Sequence, residues 1–275
     1  MKLATCNEPW REQSVEEVFR IARKIGYDGV EIAPFTIAGH VDEISTERRR
    51  QIVRAASDAG VEIIGLHWLF VSPKGLHLTT PDASIRQKSA EYLRKLIHLC
   101  GDLGGSVMTF GSPTQRNIEP PNTYEQGWTN AVEVFASVAE DCAQRNVQLC
   151  LEGLAPKETN FLNTVEDADR LAAEIGHPNI GYMLDIKAMS AMPDGILGTI
   201  QKYGGRAGHF HANQPSGAGV GLPSPADSSI DLPQILRALR ESGYSHWISV
   251  EPFQYEPDPT TVADVGFKAL KAALA

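Results

Sequence analysis

Glu152, Asp185, His211 and Glu251 each end a short apolar run, in QLCLE, IGYMLD, RAGHFH and HWISVE. They are separated by 33 residues (152 to 185), 26 residues (185 to 211) and 40 residues (211 to 251). Each interval fits a strand, a helix and two connections, the repeat of successive parallel strands in one sheet. If that sheet closes into a barrel, the four side chains converge at its C-terminal rim, where the active sites of such barrels sit. Three carboxylates and one imidazole meeting there describe a divalent-metal site. Taken singly, each of these residues reads equally well as a solvated loop residue or a helix cap. Their joint placement favours a shared cation, which offsets the cost of burying all of them together. The alternations Gln148, Cys150, Glu152 and His209, His211 put each ligand on one face of its strand. An O,O,O,N donor set without thiolate favours one divalent ion per chain, Mn²⁺ first, with Co²⁺ or Mg²⁺ as alternatives, over structural zinc.

The elements that would position these residues recur along the chain. Apolar runs of about five residues alternate with longer amphipathic stretches, the pattern of βα units. Eight strands are predicted, over 2–6, 29–33, 62–67, 106–110, 148–152, 180–185, 207–211 and 247–251. Ser14 with Glu17 and Thr164 with Asp167 read as capping boxes, and Asp231 and Thr261 as helix caps. Gly26, Gly60, Gly104, Gly176 and Gly243 read as helix stops ahead of the next strand. The fold class is α/β, a single (β/α)8 TIM barrel with a parallel eight-stranded core, as one catalytic domain over 1–275. Two long segments, 67–84 and 212–229, follow strand ends on the active face. The second is rich in Gly, Pro and Ser and reads as a mobile lid, with a phosphate cradle as the alternative.

Composition agrees. The 275 residues are 42% hydrophobic, enough to fill one barrel of about 250 residues. A net charge of -9 argues against a nucleic-acid partner, which requires clustered Lys and Arg. Cys6, Cys100, Cys142 and Cys150 show no paired spacing and are expected to be reduced thiols. MKLATCNEPW has no apolar stretch of signal-peptide length, and no segment approaches the roughly 20 apolar residues of a membrane span. A cytoplasmic chain without a membrane partner is expected.

Other residues fall near the same rim. His67 could bind substrate hydroxyls or pack beside Trp68. Glu158, six residues past Glu152, could reach back over the site or sit in a surface loop. Glu31 could point inward or pair with an arginine. Lys187 and Arg116 could meet a substrate oxyanion or be solvated. Trp10, Trp68, Phe110 and Phe253 could wall off water, stack on a sugar face, or pack in the core.

With those four strand-end residues and the barrel pattern, the chain resembles, over essentially its whole length, the xylose-isomerase-like TIM-barrel sugar isomerases and epimerases. Within them it is most similar to the ketose 3-epimerases. The resemblance implies that Glu152, Asp185, His211 and Glu251 hold the metal and that Glu152 and Glu251 exchange protons with a small sugar. It also implies that Glu158 contacts the substrate near its carbonyl end, and that the chain forms a homodimer or homotetramer. LHLTTPDASIR looks like the stretch that opens helix 3 in the family. Two positions depart from the pattern: Ala188 stands where the ketose epimerases carry histidine, and Gly217 where they carry arginine. Together with GSPTQRN, DIKAMS and HFHANQP, these departures resemble a less characterised branch and imply a different keto-sugar or polyol.

The chemistry implied is proton abstraction. A sugar bound through its carbonyl and a neighbouring hydroxyl to a cation has an acidified C–H, because the cation stabilises the enediolate. Proton return to the opposite face gives epimerisation, return to the adjacent carbon gives isomerisation, and loss of a β-hydroxyl gives a dehydratase or lyase on a keto-sugar or keto-inositol. An abasic-site endonuclease of the same superfamily is a further alternative. It would need histidines where Gly111 and Ala188 stand and an Asp-x-His pair that the chain lacks. A barrel that binds without catalysis is disfavoured by the retention of both glutamates.

Overall fold

The computed structural model describes residues 1–228 and 230–275, so Ser229, the end of the expected lid, lies outside the described residues. The apolar runs form eight strands: β1 Leu3–Cys6, β2 Gly29–Ile32, β3 Glu62–Leu66, β4 Val107–Phe110, β5 Gln148–Leu151, β6 Ile180–Asp185, β7 His209–Ala212 and β8 Ile248–Val250. They close into one barrel in sequence order, and β8 pairs in parallel with β1. This is the (β/α)8 TIM barrel that the periodicity predicts. Glu152 and Glu251 lie one residue beyond β5 and β8, in the loops of the C-terminal rim. The predicted seventh strand begins too early, because a 3-10 turn at Gly204–Arg206 occupies its approach.

Local chemistry sets the element ends. Ser14 accepts the Glu17 N–H at the start of α1 (Val15–Ile25). Thr164 and Asp167 form a reciprocal capping box before Val165–Ile175. Asp231 caps Leu232–Glu241 through the Gln234 N–H. Thr261 is not a cap. Asp258 accepts the N–H groups of Thr260 and Thr261, both at 2.9 Å, and Pro259 takes the first helical position that its fixed φ suits. All five predicted stop glycines have positive φ.

The main apolar core lies between the strands and the surrounding helices. A separate small cluster, Val107, Cys150 and Met183, lies on strands β4 to β6. By strand alternation it faces the barrel interior below Thr109, Glu152 and Asp185. The four cysteines are free and buried, as expected. Among the described residues no helix is long and apolar enough to cross a membrane.

One inward position leaves no room for a side chain. A Cβ on Gly65 would lie 1.8 Å from the Val107 carbonyl oxygen, inside the β3–β4 pairing. Gly65→Ala should therefore destabilise the protein by about 3 kcal/mol or more through overpacking. Gly104→Ala, at a φ of +83° with nothing within 4 Å, should cost only about 1–2 kcal/mol of backbone strain. Urea denaturation of the two variants should reproduce that order.

Candidate metal centre

The rim brings the four sequence-predicted ligands together. Glu152, Asp185, His211 and Glu251 are all buried, and one donor atom from each lies within 4.8 Å of the others. His211 Nδ1 is 2.9 Å from Glu251 Oε2 yet has no aligned hydrogen-bond partner. An imidazole lone pair and a carboxylate aimed at one point in this way suit a shared cation. The electrostatics agree with such an occupant. Burial, and then the charges of Asp185 and Glu251, push the Glu152 carboxyl well above its ordinary value. Burial and Glu251 push Asp185 up to about 6. For Glu251 burial acts upward, but His211 and His67 outweigh it and hold the carboxyl below its usual value.

Each ligand is braced from outside the cluster. Asp185 caps the short helix Ile186–Met189, with Oδ1 accepting the Ala188 N–H at 2.7 Å and Oδ2 accepting Asn213 Nδ2 at 2.7 Å. His211 Nε2 lies 3.1 Å from Glu31 Oε2, which also meets His209 Nε2 at 2.8 Å. Glu31 is fully buried; burial would raise its carboxyl, but the two imidazoles hold it well below the usual range. The register against β3 shifts between Val30 and Glu31, so the ladder is irregular at this residue. Glu251 Oε1 accepts the Trp68 indole N–H at 3.0 Å. Trp68 has a φ of +53°, a region that bulky residues rarely adopt and that concentrates at functional sites.

The cluster opens into a cavity of about 360 Å³, within the range of small-molecule sites. Glu152 and Glu251 line it together with His67, Trp68, Glu158 and Phe253. Glu158 receives Lys187 Nζ at 2.5 Å, and that ammonium also lies 4.9 Å from the Phe253 ring centre. Arg116 lies elsewhere. It is fully buried behind β5, donating to the Glu152 carbonyl at 2.6 Å and the Leu162 carbonyl at 3.3 Å, and burial lowers it to about 10. It holds the Glu152 backbone and does not face the cavity. Trp10 and Phe110 are core residues, whereas Trp68 and Phe253 flank the mouth.

A model of the xylose isomerase-like TIM barrel family matches residues 19–273. The chain belongs to that family. Fructoselysine 3-epimerase of Shigella flexneri is 22% identical over 261 residues, 94% of this chain and 93% of that protein. A probable ketose 3-epimerase of Synechocystis is 25% identical, over 90% of this chain and 82% of its own. Among solved structures, D-psicose 3-epimerase with D-tagatose from Clostridium cellulolyticum superimposes with a TM-score of 0.82 at 21% identity, covering 100% and 97% of the two chains. A 3-keto-D-glucoside 4-epimerase from E. coli gives 0.84 at 15% identity, covering 99% of each. These structural likenesses show a shared fold.

Within this xylose isomerase-like barrel, the departures from the ketose-epimerase pattern acquire local reasons. Ala188 is buried, and its backbone N–H serves Asp185. Gly217 has a φ of +86° and its carbonyl accepts the Phe253 N–H at 2.9 Å. The segment 212–228 is tied together by its own side chains and touches the cavity wall where Gly217 meets Phe253. Gln214 Nε2 donates to the Gly219 and Leu222 carbonyls, Asp227 accepts from Ser216, and none of these residues lines the cavity. Its side-chain amide and carboxylate staple the glycine-rich stretch onto itself, which composition does not reveal. The other long segment does reach the cavity, through Trp68, Val71 and Lys74.

Sequence reasoning passed over Asn213 and Glu8. Asn213 lies two residues after His211 and so shares its face, a signal that was available. Glu8 lies in a 3-10 turn after β1 and pairs with His67; no periodic signal marks it. Glu31 follows the inward alternation rather than pairing with an arginine.

The Glu31–His211 contact has a measurable pH signature. Burial would lower the His211 imidazole, but Glu251 and Glu31 outweigh it and hold it well above 6.5. A folded-state value raised in this way contributes stability that is present below about pH 6.5 and is lost as pH rises through the folded value. Metal-free protein should therefore be less stable at a pH well above about 6.5 than at one below it, and Glu31→Gln should lose less between the two. Urea midpoints at the two pH values test this; equal losses would remove Glu31 from the role.

Proposed function

We propose that this chain is a divalent-metal-dependent sugar epimerase or isomerase acting on a keto-sugar or related polyol, with Glu152 and Glu251 as its proton-transfer pair. The observation that carries this reading is the convergence of four braced, buried donors at the inner end of a sugar-sized cavity. The names of the curated relatives, fructoselysine and ketose 3-epimerases among them, support the same class. Glu152, Asp185, His211 and Glu251 would hold one divalent ion, for which Mn²⁺ is the first choice of this donor set. When bound, such an ion supplies Lewis acidity that stabilises the enediolate left when a C–H proton departs.

The remaining steps belong to the chain. Glu251 is held toward its ionised form by His211 and His67, whereas burial and like charges push Glu152 toward its protonated form. Those directions belong to the cluster without an ion; a bound cation would hold both carboxyls ionised, and which one acts as the base depends on the substrate face each meets. Trp68 fixes Glu251, and Arg116 fixes the backbone under Glu152. Glu158 and Lys187 offer an acceptor and a donor for substrate hydroxyls. Trp68 and Phe253 exclude water from one side.

Chelation should abolish activity, and Mn²⁺, Co²⁺ or Mg²⁺ should restore it. Calorimetric titration should show ion affinity weakening as pH falls through about 6, because protons compete for Asp185. Asp185→Asn and His211→Ala should each weaken it further. Turnover at the normal rate by metal-free protein would overturn the proposal.

Glu152→Gln and Glu251→Gln each keep an oxygen donor but remove the proton acceptor, so turnover should fall by about 10²–10⁴-fold while substrate still binds. In D₂O, label at an inverted carbon marks epimerisation, label at the adjacent carbon isomerisation, and loss of water a lyase. No exchange at any carbon α to the carbonyl would exclude the enediolate route.

A further inference from the structure

The cavity is larger than a free sugar, and it has an apolar wall that the donor cluster does not use. A hexose, about six water-sized CHOH units of roughly 30 Å³ each, fills about half of the 360 Å³. The cluster places that half at the Glu152 and Glu251 end. Trp68 runs outward from there: its Nε1 meets Glu251 Oε1 at 3.0 Å, yet the residue is 37% exposed. Phe253, also 37% exposed, has its ring centre 6.4 Å from that of Trp68, and Phe35 packs 6.3 Å from the indole. Four large apolar side chains are left exposed among the described residues, and two of them, Trp68 and Phe253, line this cavity. Val71, Pro113 and Leu154 line it as well. The Phe253 ring is held in place. Its N–H donates to the Gly217 carbonyl at 2.9 Å, and the Lys187 ammonium lies 4.9 Å from the ring centre. Aromatic rings fixed beforehand and left open to water form a contact surface with little further ordering to do.

We propose that this wall is an aglycone site, so that the substrate is a keto-glycoside, a sugar with its carbonyl in the ring and a flat, apolar group on its anomeric carbon. The proposal rests on the sugar-epimerase reading and narrows its substrate class. A sugar bound through its carbonyl and a neighbouring hydroxyl is held at the inner end of the cavity. The exposed rings at the mouth are then left for whatever the sugar carries. The anomeric carbon is where a sugar carries such a group. A glycosidic bond there leaves the carbonyl, and the acidic C–H beside it, elsewhere on the ring. Burying an aromatic aglycone against Trp68, Val71 and Phe253 removes apolar surface of both partners from water, a gain that a free ketose cannot match.

The test measures solvent-deuterium exchange α to the carbonyl, as kcat/KM, with Mn²⁺-loaded protein. The sugars are methyl and phenyl 3-keto-D-glucosides, both anomers of each, and D-fructose and D-psicose. The better phenyl glycoside should exceed its methyl counterpart by about tenfold to a hundredfold. Most of that gain should appear in KM, because a contact remote from the reacting carbon binds substrate and transition state alike. Phe253→Ala, a change at an exposed ring, should bring the phenyl-to-methyl ratio to within about threefold of one. Phe253→Tyr keeps the ring and should keep the ratio. A ratio near one in wild-type protein, faster exchange into the free ketoses than into either glycoside, or a ratio unchanged in Phe253→Ala would overturn the aglycone site. Exchange into any of these sugars without a phenyl preference removes that site alone and leaves the sugar-epimerase reading standing; no exchange into any of them removes both.

Discussion

Mutual repulsion among Glu152, Asp185 and Glu251 is the constraint around which the rim is organised. Three carboxyl groups withdrawn from water and crowded into one space raise one another's proton affinity. A fold can retain such a cluster when positive charge is supplied and when each group is prevented from turning away. Without an ion a protonated His211 supplies that charge; a divalent ion, held by the neutral ring, would supply it instead.

Restraint comes from residues that never reach the cavity. Asn213 and the Ala188 N–H hold both oxygens of Asp185, Glu31 holds the far side of His211, and Arg116 holds the backbone of Glu152. Partners of this kind fix the orientation of metal ligands and tune them. They come from β2, from just beyond β7, from the loop after β4 and from the short helix after β6, so the geometry of the cluster depends on closure of the whole barrel. The polar upper interior is the form that this dependence takes, with Glu31, His209 and His211 packed where branched apolar residues usually fill a barrel.

The barrel and its ligands were legible because both follow from periodicity. Strand alternation aims Glu152 and His211 inward, and glycine stops mark where each helix yields to the next strand. What escaped was chemistry set by long-range contact. Glu8 and His67 are 59 residues apart and Arg116 and Glu152 are 36 apart, so neither pairing leaves a local pattern. The internal bonds of segment 212–228 were hidden for a related reason, since its Gly and Pro content says nothing of what Gln214 and Asp227 hold. The Thr261 cap failed over a shorter range, where Asp258 with Pro259 was the better start.

Trp68 sets the demands of folding against those of the site. Its left-handed backbone costs about 1–2 kcal/mol relative to a glycine at the same place. The indole N–H on Glu251 and the packing between Phe35 and Phe253 are what that conformation provides. Laboratory selection for thermal tolerance alone would thus reward glycine at position 68 and erode the rim, whereas selection for turnover would hold tryptophan there. Comparing the survivors of the two regimes at this one codon would separate what the protein needs in order to stand from what it needs in order to act.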